Sequence, residues 1–220
     1  MPVYEDFGPK YLDRQEAGNI LASRLLDYKN KNLIVLAIPN GGVPVAAVIA
    51  KELGAELYLL IVRKLQIPDN PEAGFGALAP DGSLLLNRRL VENLRLTKSD
   101  IMKQKEMAHK SILSRQAFFG KRAEPPNLNN LRVVIVDDGL ASGFTMEAAV
   151  KSAKSQGAER IIIAVPTSSM SAYRRLESLV DKIICPDLSR LRVFAVADAY
   201  QKWYDLDEEE VLDLIKQLDR

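Results

Sequence analysis

The sequence predicts an α/β protein: an open, mostly parallel sheet flanked by helices. Three observations carry this. Short apolar runs rich in β-branched residues recur along the chain, each too brief for a helix and bounded by turn residues. Amphipathic helix patterns separate them, the alternation that builds strand–helix–strand units. The 220 residues, 47% of them hydrophobic, can bury one substantial core, so residues 1–220 are read as a single domain.

The elements follow in order. Residues 13–28 read as a helix, capped by Asp13 and carrying Ile20, Leu21 and Leu25 on one apolar face. Residues 33–38, LIVLAI, form a buried strand that runs into the turn PNGG, and a helix follows over 43–53. Residues 56–62 are a second strand. Residues 63–82 are rich in Pro, Gly and Asp and read as a long mobile loop. Within it a short strand at 75–78 pairs with 83–86 through the turn Pro80-Asp81-Gly82. Residues 132–136, 160–165 and 182–185 supply the later strands, and 208–218 a C-terminal helix.

Residues 87–130 read as an insertion into this pattern. Its central helix spans about 97–119, with Ile101, Ala108, Ile112 and Phe119 within roughly 20° of one direction, a continuous apolar stripe. Its other faces are basic: between Asn87 and Arg122 ten Lys or Arg face three acids. This is either a solvated face balanced by the acidic C-terminus or an electrostatic surface for RNA or an anionic substrate. His109, the one histidine, has no His or Cys in ligand spacing and reads as a surface residue.

Composition bounds the rest. Thirty Lys+Arg against 29 Asp+Glu leave a net charge of +1, so bulk charge predicts no polyanionic partner and no nucleic acid. The single cysteine, Cys185, excludes an internal disulfide, suits a reducing compartment and reads as a buried thiol near a strand end. The first ten residues lack the apolar core of a signal peptide, and no run approaches the roughly 18 apolar residues of a membrane helix. A cytoplasmic protein with no membrane partner is expected.

The chemistry concentrates in residues 133–145, VVIVDDGLASGFT. A buried strand ends directly in Asp137 and Asp138. Unpaired carboxylates there would cost several kcal/mol of desolvation, so the pair is expected to face a polyol or a metal. The loop that follows, with Gly139, Ala141, Ser142, Gly143, Phe144 and Thr145, offers backbone N–H groups, two hydroxyls and a helix N-terminus. Acceptors for sugar hydroxyls beside donors for a phosphate make a sugar-phosphate site. A second anion site fits the first strand end. The glycines after Asn40, Gly41 and Gly42, let the backbone approach a ligand, and the next helix adds its positive end. Both turns are expected to face one crevice at the carboxyl ends of neighbouring strands. Arg63 and Lys64, at the end of the next strand, supply positive charge beside it, while Asp69 and Glu72 read as solvated charges.

Four hydrophobic residues, two acids and a phosphate loop resemble the signature of type I phosphoribosyltransferases. The runs VLAIPNGGVPVA, VRKLQIPDNPEAGFGAL, LLLN and WYDLDEEEV extend the resemblance to a group of uncharacterised bacterial and archaeal phosphoribosyltransferase-like proteins, over about residues 13–215. The resemblance implies that Asp137 and Asp138 hold the ribose hydroxyls of phosphoribosyl pyrophosphate, and that the loop from Gly139 through Ala141, Ser142, Gly143, Phe144 and Thr145 holds its 5-phosphate. It places the pyrophosphate loop, often built around a non-proline cis peptide, at Pro39, Asn40, Gly41 and Gly42. It also implies pyrophosphate contacts from Arg63 or Lys64, Mg²⁺ held indirectly through the acid pair, and a loop that closes over the reaction. A homo-oligomer, such as a dimer, is implied too. The acceptor would be chosen by a small hood, residues 166–203 with the N-terminal residues. There Phe194, Tyr200 and Trp203 could stack on a heterocycle, or Trp203 and Tyr204 could anchor the C-terminal helix.

Two departures matter. Asn40 stands where that group usually carries Arg, which removes a charge from the pyrophosphate loop. Ala141 stands where enzymes acting on hypoxanthine and guanine carry an acid, which disfavours a 6-oxopurine acceptor. The implied reaction is phosphoribosyl transfer to a nitrogenous acceptor with release of pyrophosphate. A non-catalytic phosphoribosyl pyrophosphate sensor that uses the basic helix on RNA is the second reading. A generic nucleotide-binding domain is not supported: residues 139–143 lack the Lys-Ser/Thr of a Walker loop, and Gly74-Phe75-Gly76 lies in a Pro-rich stretch with no helix after it.

Overall fold

The computed structural model describes residues 8–68, 70–191 and 194–218. In chain order the elements are α1 (Arg14–Ser23), β1 (Leu33–Ala37), α2 (Gly42–Leu53), β2 (Glu56–Leu59), β3 (Arg63–Ile67), β4 (Asn70–Leu78) and β5 (Leu84–Leu86). Then come α3 (Arg88–Asn93), α4 (Lys98–Phe119), β6 (Arg132–Val136), α5 (Phe144–Ser155), β7 (Arg160–Ala164) and β8 (Thr167–Ser169). The chain continues through α6 (Met170–Leu176), β9 (Lys182–Ile184), β10 (Asp187–Ser189) and α7 (Glu208–Leu218). Asp69 and residues 1–7, which the sequence pattern assigns to a loop and to the hood, lie outside the described residues, as does the Glu72 side chain.

Five strands form a parallel sheet in the order β2-β1-β6-β7-β9. β1 is apolar at every position, and β6 and β7 at every position after Arg132 and Arg160, because both faces of the sheet are covered. Alternation sends Val35, Ala37, Val134 and Val136 to one side, against α1, α2 and α7. Ile34, Leu36, Val133, Ile135, Ile161 and Ile163 go to the other, against α5 and α6. Asp13 caps α1 by accepting from the Glu16 N–H at 3.0 Å, and the helix ends at Ser23, before a short 3₁₀ turn over Leu26–Tyr28. The second strand stops at Leu59 and does not reach residue 62, because the chain turns there into a separate sheet.

That sheet corrects the loop reading of residues 63–82. β3, β4 and β5 make a three-stranded antiparallel ribbon. Leu65, Phe75, Ala77 and Leu78 are buried in it. Its glycines serve packing: a Cβ on Gly74 would overlap the Lys64 side chain, and one on Gly76 the Leu85 carbonyl. The expected pairing with 83–86 does form, through a turn in which Gly82 has φ +85. The excursion from the main sheet therefore begins before residue 87, with the ribbon. α4 is capped by a Thr97–Asp100 capping box and packs Ile101, Ala108, Ile112 and Phe119 toward the core.

The hood is also smaller than residues 166–203. β9 belongs to the main sheet, which leaves the β8–β10 pair and the 3₁₀ turn Val196–Ala199. Residues 10–12 are laced to it by backbone hydrogen bonds to 199–202. No helix among the described residues is long and apolar enough to cross a membrane.

Candidate functional site

β1 and β6 are neighbours, with Ala37 beside Val136, so the segments that follow them emerge side by side. β2 lies beyond β1 and β7 beyond β6, which makes this the point where strand order reverses and a crevice opens. The peptide between Pro39 and Asn40 is cis. The turn then presses on the acid pair: a Cβ on Gly41 would overlap the Asp138 carboxylate, and one on Gly42 would sit 2.8 Å from the Val136 carbonyl oxygen. The Gly42 N–H is spent on the Ile38 carbonyl at 3.1 Å, so Gly42 contributes clearance and no donor.

The two acids have different surroundings. Asp137 lines the crevice, and its Oδ1 accepts from the Asp138 N–H at 2.9 Å. Burial, and then the Asp138 charge, hold the Asp137 carboxyl well above the ordinary carboxylate range. Asp138 turns toward α1, where Arg14 Nε donates to its Oδ2 at 2.9 Å. Arg14 is buried, donates through Nη1 to the Tyr204 carbonyl at 2.9 Å, and lies 4.0 Å over the Trp203 ring. Burial also raises the Asp138 carboxyl, and Arg14 opposes that rise. The Tyr200 hydroxyl donates to the Asp138 carbonyl at 2.6 Å.

This network corrects the aromatic reading. Tyr200 and Trp203 pack on each other and on Arg14, and so clamp α1 to the strand end. Tyr204 is exposed, and the C-terminal helix is instead seated by Val211 and Ile215. Of the three stacking candidates, Phe194 lines an open hollow of about 220 Å³ in the hood, with Lys10, Asp187 and Arg190.

The loop at 139–145 leads into α5 with Gly143 at φ +76. Three consecutive carbonyls of this loop face the protein. Leu140 accepts from the Ser169 N–H at 2.9 Å, Ala141 from Ser169 Oγ at 2.6 Å, and Ser142 from Arg175 Nε at 3.2 Å. The first amides of α5 have no acceptor within the helix and carry its positive end. Arg175 lies 4.0 Å over the Phe144 ring and pairs with Glu147, which also pairs with Lys151. Ala141 and Ser142 are exposed, Phe144 and Thr145 half-buried.

A cavity of about 460 Å³ joins these parts. Pro39, Asn40, Gly41, Asp137 and Thr145 line one side, Arg63, Lys64 and Gln66 another, and Gln104, Met107, Ala108 and Ser111 of α4 close it. The Asn40 side chain does not point freely into it: its amide donates to the Leu206 carbonyl at 2.7 Å and accepts from Arg115 Nη2 at 3.0 Å. Arg115 in turn pairs with Glu208 at 2.6 Å, so part of the basic excess of α4 is balanced by the acidic C-terminus. His109 is exposed, as expected. Cys185 is half-buried just past β9, and burial pushes its thiol up to about 12.

No cluster of three or more His, Cys, Asp or Glu among the described residues could hold a metal unaided. Asp137 with Asp138, the latter shared with Arg14, is a sparse oxygen set. It suits an ion such as Mg²⁺ that keeps waters and takes its remaining ligands from substrate oxygens. Sequence reasoning missed Arg14, Gln104, Ser111, Arg115 and Arg175. Each arrives from a distant element, and only the buried face of α4 had a periodicity that could have pointed to that wall.

Comparison with known proteins agrees with this geometry. Residues 10–201 match the family described as "Phosphoribosyl transferase domain". Two Mycobacterium tuberculosis proteins, from strains CDC 1551 and H37Rv, each named "Putative phosphoribosyl transferase", are 36% identical over 202 residues. These cover 91% of this chain but 45% of the relatives, so the chain spans less than half their length. The crystal structure of TT1426 from Thermus thermophilus superposes with a TM-score of 0.77 at 29% identity, covering 95% of this chain and 99% of that one. A Neisseria gonorrhoeae hypothetical protein with bound ppGpp, 16% identical over 96% of both chains, shares the fold at a TM-score of 0.50. This chain belongs to the phosphoribosyl transferase family.

Proposed function

We propose that the protein binds Mg²⁺-bound phosphoribosyl pyrophosphate in the crevice between the β1 and β6 ends and transfers its phosphoribosyl group to a nitrogenous acceptor. One observation carries this reading: the Asn40-Gly41-Gly42 turn, the Asp137–Asp138 pair and the start of α5 converge at one strand-order reversal. The bond from the anomeric carbon to pyrophosphate breaks with its electron pair leaving on oxygen, and a bond to nitrogen forms. Asp137, facing the crevice, accepts from the ribose hydroxyls and offsets positive charge developing on the ring. Asp138 fixes the floor of the site through Arg14. Residues 141–145 hold the 5-phosphate by amides and by the Ser142 and Thr145 hydroxyls. Arg63, Lys64 and the residue 39–42 loop stabilise the departing pyrophosphate. Bound Mg²⁺ supplies charge neutralisation of the pyrophosphate. The acceptor nitrogen releases its proton to solvent or to departing pyrophosphate, since no side chain at the site stands as its base.

Ala141 removes the carboxylate that a 6-oxopurine reaction would use, an effect of about 10²–10⁴-fold, so pyrimidine-like heterocycles and simple amines are the favoured acceptors. Labelled phosphoribosyl pyrophosphate offered with hypoxanthine, guanine, uracil, orotate, adenine and simple amines tests this. A kcat/KM of about 10⁴ M⁻¹s⁻¹ or above for hypoxanthine or guanine refutes the acceptor assignment. The occupied Asn40 amide and the Arg14-bound Asp138 favour one second reading, a phosphoribosyl pyrophosphate-binding regulator. Tight binding with no transfer to any acceptor selects it.

A further inference from the structure

The excursion helix α4 is part of the site, and its polar flank has a chemistry of its own. At about 100° per residue, Gln104, Ser111 and Arg115 fall within roughly 20° of one direction. The apolar face of the same helix is used up against the core, with Ala108 and Ile112 buried. Two of the three, Gln104 and Ser111, line the cavity that also holds Pro39 and Asn40, and Arg115 lies against Asn40 itself. Gln104 and Ser111 line the cavity, and among the described residues neither side chain is engaged by another group. Arg115, one turn on, is fixed by Asn40 Oδ1 at 3.0 Å and Glu208 at 2.6 Å.

Arg63 lines the same cavity; burial and then Arg115 weaken its hold on its proton, while Glu208 strengthens it. The Arg63 guanidinium borders the cavity that Gln104 and Ser111 line, and a dianion there would meet its charge. The Lys64 side chain borders the same space. Both side chains that α4 presents to the cavity can donate: the Gln104 amide NH₂ and the Ser111 hydroxyl.

We infer that Gln104 and Ser111 of α4 form the outer wall of the leaving-group subsite and select a diphosphate over a monophosphate or a hydroxyl at that end of the donor sugar. This rests on the function proposed above and assigns a role to the inserted helix. Arg115, paired with Glu208, holds the Asn40 side chain in place. Gln104 and Ser111 grip the terminal phosphate.

Calorimetric titration of the full chain tests this, with Mg²⁺ present and three probes: phosphoribosyl pyrophosphate, inorganic pyrophosphate and ribose 5-phosphate. The variants are Gln104→Glu, nearly isosteric and opposed in charge to the stripe's donors, and the double change Gln104→Leu with Ser111→Ala. Both are expected to weaken the two pyrophosphate-bearing probes at least tenfold, about 1.4 kcal/mol, and to leave ribose 5-phosphate affinity unchanged. Unchanged pyrophosphate affinity in Gln104→Glu overturns the inference while the function stands. Equal loss of all three probes also overturns it, since α4 would then only support the fold. A wild-type protein that binds no phosphoribosyl pyrophosphate refutes the function itself.

Discussion

Replacing Arg14 by Met tests how the acid pair is held. The change keeps the apolar stem and removes the guanidinium that reaches Asp138 Oδ2 at 2.9 Å, the Tyr204 carbonyl at 2.9 Å and the Trp203 ring at 4.0 Å. The two side chains are 7% and 13% exposed, so water cannot replace the lost partner fully. Breaking such a pair from one side leaves an uncompensated charge and costs about 3–5 kcal/mol. At roughly 2–4 °C per kcal/mol for a chain of this size, Tm should fall by roughly 6–20 °C. The sign with pH follows. Burial already raises the Asp138 carboxyl, and losing Arg14 raises it further. A raised carboxyl contributes stability below its unfolded value that is lost as pH rises through the folded one. The deficit of Arg14→Met should therefore be larger at pH 8 than near pH 5. Thermal unfolding by circular dichroism at both pH values measures it, and a cycle with Asp138→Asn isolates the pair. The double variant should be more stable than additivity gives by more than about 1 kcal/mol. A Tm within a few degrees of wild type at pH 8, or strict additivity, would refute the reasoning.

Three further outcomes follow from the geometry. Gly41→Ala places a methyl on the Asp138 carboxylate, so it should abolish phosphoribosyl pyrophosphate binding by calorimetry; normal affinity would mean the turn does not need to lie against the acids. Gly143→Val meets Ala172 Cβ at 3.2 Å and resists φ +76, so ribose 5-phosphate affinity should fall with it, and unchanged affinity would remove this loop from the phosphate site. Asp137→Asn should raise Tm in ligand-free protein at pH 8 and change it little near pH 4. The buried carboxyl, held above its ordinary 3.8, loses stability as pH rises through its folded value, and the amide has no such titration. Equal melting curves at pH 8 would show that the carboxylate is not strained by its burial.

The parallel sheet was legible because its strands are short, continuous apolar runs, a pattern that only burial on both faces explains. Asp137 and Asp138 stood out for the converse reason, two charges where such a run ends. The ribbon was not legible. Gly74 and Gly76 read as loop residues by composition, yet they are there because Lys64 and Leu85 leave no room for a side chain. The pairing of Arg14 with Asp138 spans 124 residues, and that of Arg115 with Asn40 spans 75, and no local pattern encodes either. Stacking stayed open for Tyr200, and stacking and anchoring both for Trp203, because an aromatic residue carries the same signature whether it meets a ligand, a helix or an arginine.

One titration bears most directly on the proposed site: Mg²⁺–phosphoribosyl pyrophosphate into wild type and into the variant carrying Asp137→Asn with Asp138→Asn. Saturable binding at one site per chain is expected, requiring Mg²⁺ and lost in the variant, which remains folded by circular dichroism. Absence of binding to wild type, or unchanged affinity in the folded variant, would contradict it.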